Sequence, residues 1–436
     1  MGLATAVCLA DRGLRVVGID IDEKKVRAIG DGSPPFEERN VTAILRKTLR
    51  NGALTLASDY EGIADTDVSF VTVGTPSGPS GEIDLRYVEA ASKAIGGKLK
   101  AKDGYHLVVV KSTVIPGTTS GRVVPILEKE SGKKAGKEFG VAVNPEFLRE
   151  GSAVKDTRRP GGLVLGVEDE RSKKVLLDVY ARFYRGLPKT IVTTRASAEL
   201  IKYSINISRA AQLSLVNSLA DICSRVPGGE MADVAKGLAL LARMDARYLG
   251  AGIGYGGSCL PKDTRAIAHF ADSLSTPSDL FKAALKVNED QPMHALRLAR
   301  DLAGGLEGKK VAVLGLAFKG GTDDVRESAA IGLVSLLLQE GSKVSVFDPL
   351  AAENSRMVLG DRVAYSPSAS ACLEGAQCCF IATDWEEFRR LTPSTFRKLM
   401  KAPIVVDGKR MFEPSQFAGK GVRYARVGTF ASIKER

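Results

Sequence analysis

Apolar residues at Leu3, Ala6, Val7 and Ala10 recur at the spacing of one helical face, and Gly13 supplies a stop. The apolar run Leu14–Ile19 then predicts a buried strand ending at Asp20. Val68–Val73, Leu107–Val110 and Val141–Val143 predict further buried strands, with helical stretches near 84–98 and 117–129 between them. Strands alternating with helices in this way build a parallel sheet covered on both faces, because each crossover helix must pack against it.

The pattern changes at Ser197. From there to Arg225 it predicts one long helix, closed by Pro227 and Gly228-Gly229. Leu200, Ile201, Ile205, Leu213, Leu215, Val216 and Leu219 fall on more than one side of it, so burial between layers or subunits is expected. More helix is predicted around 230–243, 262–272 and 278–303. At Lys309 the alternation restarts with a strand at Val311–Leu314, a helix over 325–340 and a strand at Lys343–Phe347 that ends at Asp348. Gly13-Leu-Arg-Val-Val-Gly-Ile-Asp20 and Gly341-Ser-Lys-Val-Ser-Val-Phe-Asp348 echo each other: helix stop, short strand, acid. A copied fold accounts for that echo as well as a copied function does. The expected fold is α/β, with two Rossmann-like parallel-sheet domains joined by a central helical domain. The boundaries fall at 1–194, 195–303 and 304–436.

Composition narrows the class. At 436 residues, 44% hydrophobic and 26% charged, the chain can fill several cores, which excludes disordered, collagen-like and disulfide-stapled proteins. The net charge of +11 is scattered, with short clusters at Lys98–Lys102 and Lys133–Lys137. Aromatics are only 6%, and no basic–aromatic motif appears, so small anionic ligands are expected rather than nucleic acid. The six cysteines form no CxxC pair, and the three histidines (His106, His269, His294) lie far apart, so no metal site is expected. No apolar run approaches the roughly 18 residues of a membrane helix. Residues 1–6 lack a basic segment, and Ala6 breaks the myristoylation pattern. A reduced, cytoplasmic chain follows.

The candidate chemistry lies in a few stretches. Asp20 closes a strand where a dinucleotide fold places the acid that meets the adenosine ribose, which favours NAD over NADP. Gly254-Tyr-Gly-Gly-Ser-Cys-Leu-Pro-Lys-Asp263 sets Cys259 just before Pro261, at the predicted start of a helix. A thiol there has a lowered pKa and becomes a better nucleophile. Cys8, Cys223, Cys372, Cys378 and Cys379 read as small buried hydrophobes. Lys202 and Asn206 share one face of the long helix and suit a polar cavity, against the plainer alternative of a Glu199–Lys202 surface pair. Lys111-Ser-Thr113 and Asn144-Pro-Glu-Phe-Leu-Arg-Glu150 each follow a predicted strand, at the end where open α/β sheets bind ligands.

Together these stretches resemble the UDP-glucose/GDP-mannose dehydrogenase family of nucleotide-sugar 6-dehydrogenases. The resemblance runs from Gly2 to about Arg410 and is carried by Val17-Gly-Ile-Asp20, Val73-Gly-Thr-Pro76, Lys111-Ser-Thr113, Asn144–Gly151, Gly256–Asp263, Gly315-Leu-Ala-Phe-Lys319 and Thr322–Ser328. It implies NAD-dependent, four-electron oxidation of UDP-glucose to UDP-glucuronate through a thiohemiacetal and a thioester on Cys259. Lys202 would stabilise the oxyanion and Asn206 orient the sugar, while Asp263, Glu146 and Thr113 would handle water and protons. NAD would meet Asp20, Lys25, Thr75, Thr113, Glu150, Lys262 and Arg326. The UDP-sugar would meet Glu146, Phe147, Leu148, Arg149, Lys202, Asn206, Arg247, Tyr248, Tyr255, Gly256, Lys319 and Arg410, with Lys319 and Arg410 on the phosphates. A homodimer or higher homo-oligomer is implied as well, with Arg247 reaching a neighbouring subunit's substrate.

The family begins one strand earlier, so the first strand and part of the glycine turn are expected to be missing from residues 1–194 as given. A chain short of that strand would bind sugar nucleotides without catalysis. GDP-mannose or UDP-N-acetylhexosamine oxidation is the sister alternative, and a simpler hydroxyacid dehydrogenase would not need Cys259. Ser258 stands where the acetylamino-sugar enzymes tend to carry Pro.

Overall fold

The computed structural model describes residues 1–430 and divides the chain into two compact units, Met1–Ile205 and the residues from Asn206 onward. The first unit holds strands β1 (Val16–Ile19), β2 (Leu54–Ala57), β3 (Val68–Val71), β4 (Leu107–Val110), β5 (Gly140–Val143), β6 (Leu163–Gly166) and β7 (Thr190–Thr193). β1 and β2 make a two-stranded parallel sheet, and β3 to β7 make a five-stranded sheet in chain order. β4 and β5 are buried along their whole length, as uninterrupted apolar runs demand when both sheet faces are covered.

Two expectations are corrected here. β1 and most of β3 are only half-buried, because each pairs with a single neighbour at a sheet edge. The five-stranded sheet is not wholly parallel, since β5 and β6 run antiparallel through Val143 and Gly166. The first helix, Gly2–Asp11, ends before Gly13 at φ +90°. The stretch near 117–129 is a π-helical turn, Thr119–Val123, running into the α-helix Val124–Ser131. Asp22 starts the helix Glu23–Gly30 by accepting from the N–H groups of Lys24 and Lys25 at 3.0 and 3.3 Å.

The helix Arg195–Arg225 begins in the first unit and continues into the second. Val216 and Ala220 on it are fully buried, but Leu200, Leu215 and Ile222 are 46%, 47% and 58% exposed. At roughly 100° per residue those three share one face. That apolar strip faces outward in the single chain, so the helix is not buried on every side.

The second unit carries β8 (Lys310–Leu314), β9 (Lys343–Phe347), β10 (Ala364–Tyr365), β11 (Cys378–Ile381), β12 (Ile404–Asp407) and β13 (Arg423–Arg426). They form one parallel sheet in the order β10-β9-β8-β11-β12-β13. Alternation along β8 sends Val311 and Val313 into one apolar cluster and Ala312 and Leu314 into the other, so both faces are covered. The chain order reverses between β8 and β11, the point at which open α/β sheets bind ligands beyond their carboxyl ends. The loop Gly315–Lys319 leaves β8 there.

Candidate active site

Five cysteines are buried and one is not. Burial pushes the thiol of Cys8 up to about 11, and those of Cys372 and Cys378 up to about 12. Cys379 is raised well above its ordinary value for the same reason. Cys259 is partly exposed and caps the helix Leu260–Ser273, with Pro261 in its first turn. Its sulfur lies 3.5 Å from the Ser258 hydroxyl. Its sulfur thus sits at the electropositive end of that helix.

Glycine is required just before it. Gly257 has φ +85°, and a side chain on it would meet the Phe318 ring at 2.8 Å. A side chain on Gly256 would strike the Glu327 carbonyl. The Gly257 N–H donates to the Arg326 carbonyl at 2.9 Å, so the turn packs directly on the 318–327 segment. Asn288 holds its other side, accepting from the Tyr255 N–H at 2.7 Å and donating to the Tyr255 carbonyl at 2.9 Å.

One helical turn past Cys259 lies Asp263, only 1% exposed. Its carboxylate accepts from Asn206 Nδ2 at 2.6 Å and from Lys262 Nζ at 2.6 Å. Lys262, assigned to the cofactor by resemblance, therefore has its ammonium on Asp263.

In the first unit, the Lys202 ammonium donates to Glu146 Oε1 at 3.0 Å, and the other Glu146 oxygen accepts from the Leu148 N–H at 2.6 Å. Burial pushes the Glu146 carboxyl up. Lys202, the Leu148 N–H and Lys111 outweigh it, so it sits below its ordinary value. The Phe147 ring lies beneath the Lys202 ammonium at 5.5 Å. Lys111 donates to Asn144 Oδ1 at 2.8 Å, and burial lowers its pKa to about 8 against the partial support of Glu146. Glu199 does not pair with Lys202; it accepts from the N–H groups of Gly117 at 2.6 Å and Thr119 at 2.9 Å. The surface-pair alternative is thereby excluded.

Asp20 and Lys25 come together at the carboxyl end of β1. The half-exposed Asp20 carboxylate accepts from the Asp22 N–H at 3.0 Å and faces Lys25 Nζ at 4.0 Å. The Thr75 hydroxyl donates to the Thr113 carbonyl at 2.9 Å, tying two strand-end loops together. A side chain on Gly2 would meet Thr72 Oγ1 at 2.5 Å, so the first helix turn lies directly on the end of β3. A half-exposed acid at a strand end and a glycine-tight helix start fit a dinucleotide.

Other assigned residues sit apart, held by their own neighbours. Arg149 forks onto Asp156 at 2.8 and 3.0 Å, Arg247 onto Asp245 at 2.6–3.0 Å, and Arg326 onto Asp324 at 2.6–3.0 Å. Tyr248 lies under Arg209 and Arg247, whose guanidinium carbons are 5.2 and 5.9 Å from its ring. Lys319 lies over the Phe318 ring at 5.4 Å. Arg410 has its guanidinium on Glu230, the Val427 carbonyl and Thr429. Asn288 carries no local motif and went unmarked in the sequence, while Lys111 and Phe318 stand inside quoted motifs without an assigned role.

Two nucleotide-type α/β sheets and a glycine-bounded cysteine on a helix start are the parts of a nucleotide-dependent dehydrogenase. The comparisons agree. Residues 1–184 match the profile of the UDP-glucose/GDP-mannose dehydrogenase family NAD binding domain, residues 196–290 its central domain and residues 312–414 its UDP binding domain. A UDP-glucose 6-dehydrogenase of Haloferax volcanii is 41% identical over 413 residues, 94% of this chain and 95% of the relative. A UDP-glucose dehydrogenase structure from Pyrobaculum islandicum is 41% identical with a TM-score of 0.90, covering 98% of this chain and 95% of that one. A UDP-D-ManNAc dehydrogenase structure from Pyrococcus horikoshii reaches 27% and 0.85, covering 98% and 96%. The chain belongs to the UDP-glucose/GDP-mannose dehydrogenase family.

Among the described residues, no helix is long and apolar enough to cross a membrane, and no cluster of His, Cys, Asp and Glu is placed to hold a metal ion.

Proposed function

We propose that the chain oxidises UDP-glucose to UDP-glucuronate with NAD. The observation that carries the reading is Cys259 at the start of its helix, one turn from the Asp263–Asn206–Lys262 cluster. The 41% identity to UDP-glucose enzymes, against 27% to an acetylamino-sugar enzyme, favours UDP-glucose over its sister substrates.

NAD, when bound, accepts a hydride at each of the two oxidations; Asp20 and Lys25 would hold its ribose, with Thr75 and Thr113 nearer the nicotinamide. An aldehyde carries no hydroxyl to oxidise until something adds to it. The Cys259 thiolate supplies that addition: its C–S bond forms as the carbonyl pair moves to oxygen and takes a proton, giving a thiohemiacetal. Oxidation then gives a thioester. Water attacks it, the C–S bond breaks, and a carboxylate and the thiol are left. Lys202, held by Glu146 at 3.0 Å, stabilises the oxyanions of these steps. Asn206 orients the sugar, and its hydrogen bond to Asp263 fixes both side chains. Asp263 and Glu146 accept protons and hold the attacking water, which Thr113 helps to position. Lys319 meets the UDP phosphates at the sheet's switch point.

The outward Leu200, Leu215 and Ile222, which share one face of the long helix, support a homodimer built on that helix, since exposed large apolar side chains are favoured against a partner. The described cysteines form no disulfide, which suits the reducing cytoplasm. The test is product identity. With NAD in excess, UDP-glucuronate should be recovered from UDP-glucose by mass spectrometry, with far less turnover of GDP-mannose and UDP-N-acetylmannosamine. Preferential oxidation of either rival would reject the substrate assignment.

A further inference from the structure

The echo between Asp20 and Asp348 is resolved by their surroundings. Asp20 stands half-exposed, but Asp348 is 4% exposed and turned inward. One of its oxygens accepts from the N–H groups of Leu316 at 2.7 Å and Ala317 at 3.0 Å, and from the Trp385 indole at 3.0 Å. The other accepts from the N–H groups of Leu350 at 3.0 Å and Ala351 at 2.9 Å. The same turn is held by its carbonyls. Ser328 Oγ donates to the Leu316 carbonyl and Thr383 Oγ1 to the Ala317 carbonyl, both at 2.7 Å. Further on, the Phe318 N–H donates to the Asp324 carbonyl at 3.1 Å and the Gly320 N–H to Asp384 Oδ1 at 2.8 Å.

We propose that Asp348 is a positioning residue for the UDP-sugar: its carboxylate clamps the Leu316–Ala317 turn and so sets the place of Lys319. In a dinucleotide fold the N–H groups of the turn after the first strand meet the pyrophosphate. Here Asp348 takes them first, so the turn is a rigid pedestal for a side chain and not a phosphate cradle. The copied strand-end acid thus has a new task. This inference rests on the assignment of Lys319 to the UDP phosphates.

The test uses the full chain and Asp348→Asn, which keeps the volume but removes the charge and aims an amide N–H2 at backbone donors. The expected result is a UDP Kd by calorimetry and a UDP-glucose KM each raised about tenfold, with NAD KM and kcat within about twofold. Amide hydrogen exchange of the 315–321 segment should quicken by about tenfold without nucleotide present. Ser328→Ala, which releases the same turn without touching a buried charge, should move UDP affinity in the same direction by about threefold. It decides the matter if Asp348→Asn does not fold. Unchanged UDP affinity and unchanged exchange in the folded variants overturn the clamp while the proposed function stands. A parent chain that binds no UDP overturns both.

Discussion

Replacing Lys202 with Met would leave the Glu146 carboxylate without the ammonium that lies 3.0 Å away. Both side chains are buried, at 5% and 10% exposure, so little water can take the lost partner's place. Removing one member of such a pair costs about 3–5 kcal/mol. Glu146→Gln is the mirror case, because it leaves two cations, Lys202 and Lys111, around a neutral amide. The double variant removes both charges from the pair and should lie within about 1 kcal/mol of the parent, so the two losses should fail to add by at least about 5 kcal/mol. At about 2–4 °C per kcal/mol, each single variant should lose roughly 6–20 °C of melting temperature, and the double should recover most of it. Activity should not recover: kcat should fall at least about 100-fold in all three, because the oxyanion's cation or the carboxylate is gone. Thermal unfolding by circular dichroism, run beside NADH formation at saturating UDP-glucose, reads both quantities. Stability losses that add to within about 0.5 kcal/mol, or a double variant that turns over normally, would show that Lys202 and Glu146 do not act as a coupled pair.

His106 is buried between the Thr66 carbonyl at 2.8 Å and the Ser69 hydroxyl at 2.9 Å, and burial lowers its pKa from 6.5 to about 4. The unfolded chain takes up the proton first, so stability is whole above pH 6.5 and falls by about 3 kcal/mol towards pH 4, a slope that urea midpoints should show and His106→Gln should flatten. Gly257→Ala places a methyl group 2.8 Å from the Phe318 ring at φ +85°, which should cost about 1–3 kcal/mol and at least tenfold in kcat, with a changed rate of Cys259 alkylation. Leu215→Glu puts a charge on the outward face of the long helix and should convert the proposed dimer to monomer in sedimentation; a parent already monomeric would reject that interface.

Burial accounts for only part of what could be read in the sequence. β4, β5 and β8 announce themselves because they need unbroken apolar runs, and β9 through its alternating Val344 and Val346. β2, β6, β7 and β10 to β13 escaped notice, as did the helices Glu23–Gly30, Val41–Arg50 and Glu170–Tyr184. β7 shows one reason: Ile191 and Val192 are 55% and 43% exposed, so it lacks the continuous burial that marks a strand. β6, β11 and β12 are buried along their whole length, so for them exposure is not the reason; each is a run of only four residues. Cys259 stood out because the glycines before it mark a turn that needs positive φ or close backbone approach. Asn288 was not, since its meaning lies in Tyr255 across 33 residues of chain. The Asp20–Asp348 echo was visible, yet only the tertiary surroundings separate an open acid from a clamping one. Arg410 teaches the same point, because its partner Glu230 lies 180 residues earlier.

In the proposed reaction one chain performs two successive oxidations through a covalent sulfur adduct. Counting NADH formed per UDP-glucose consumed, with NAD in excess, for the parent and for Cys259→Ser, tests this most directly. Two NADH per sugar are expected in the parent, and loss of steady turnover in the variant. One NADH per sugar, or a serine variant that still releases UDP-glucuronate at the parent's rate, would contradict it.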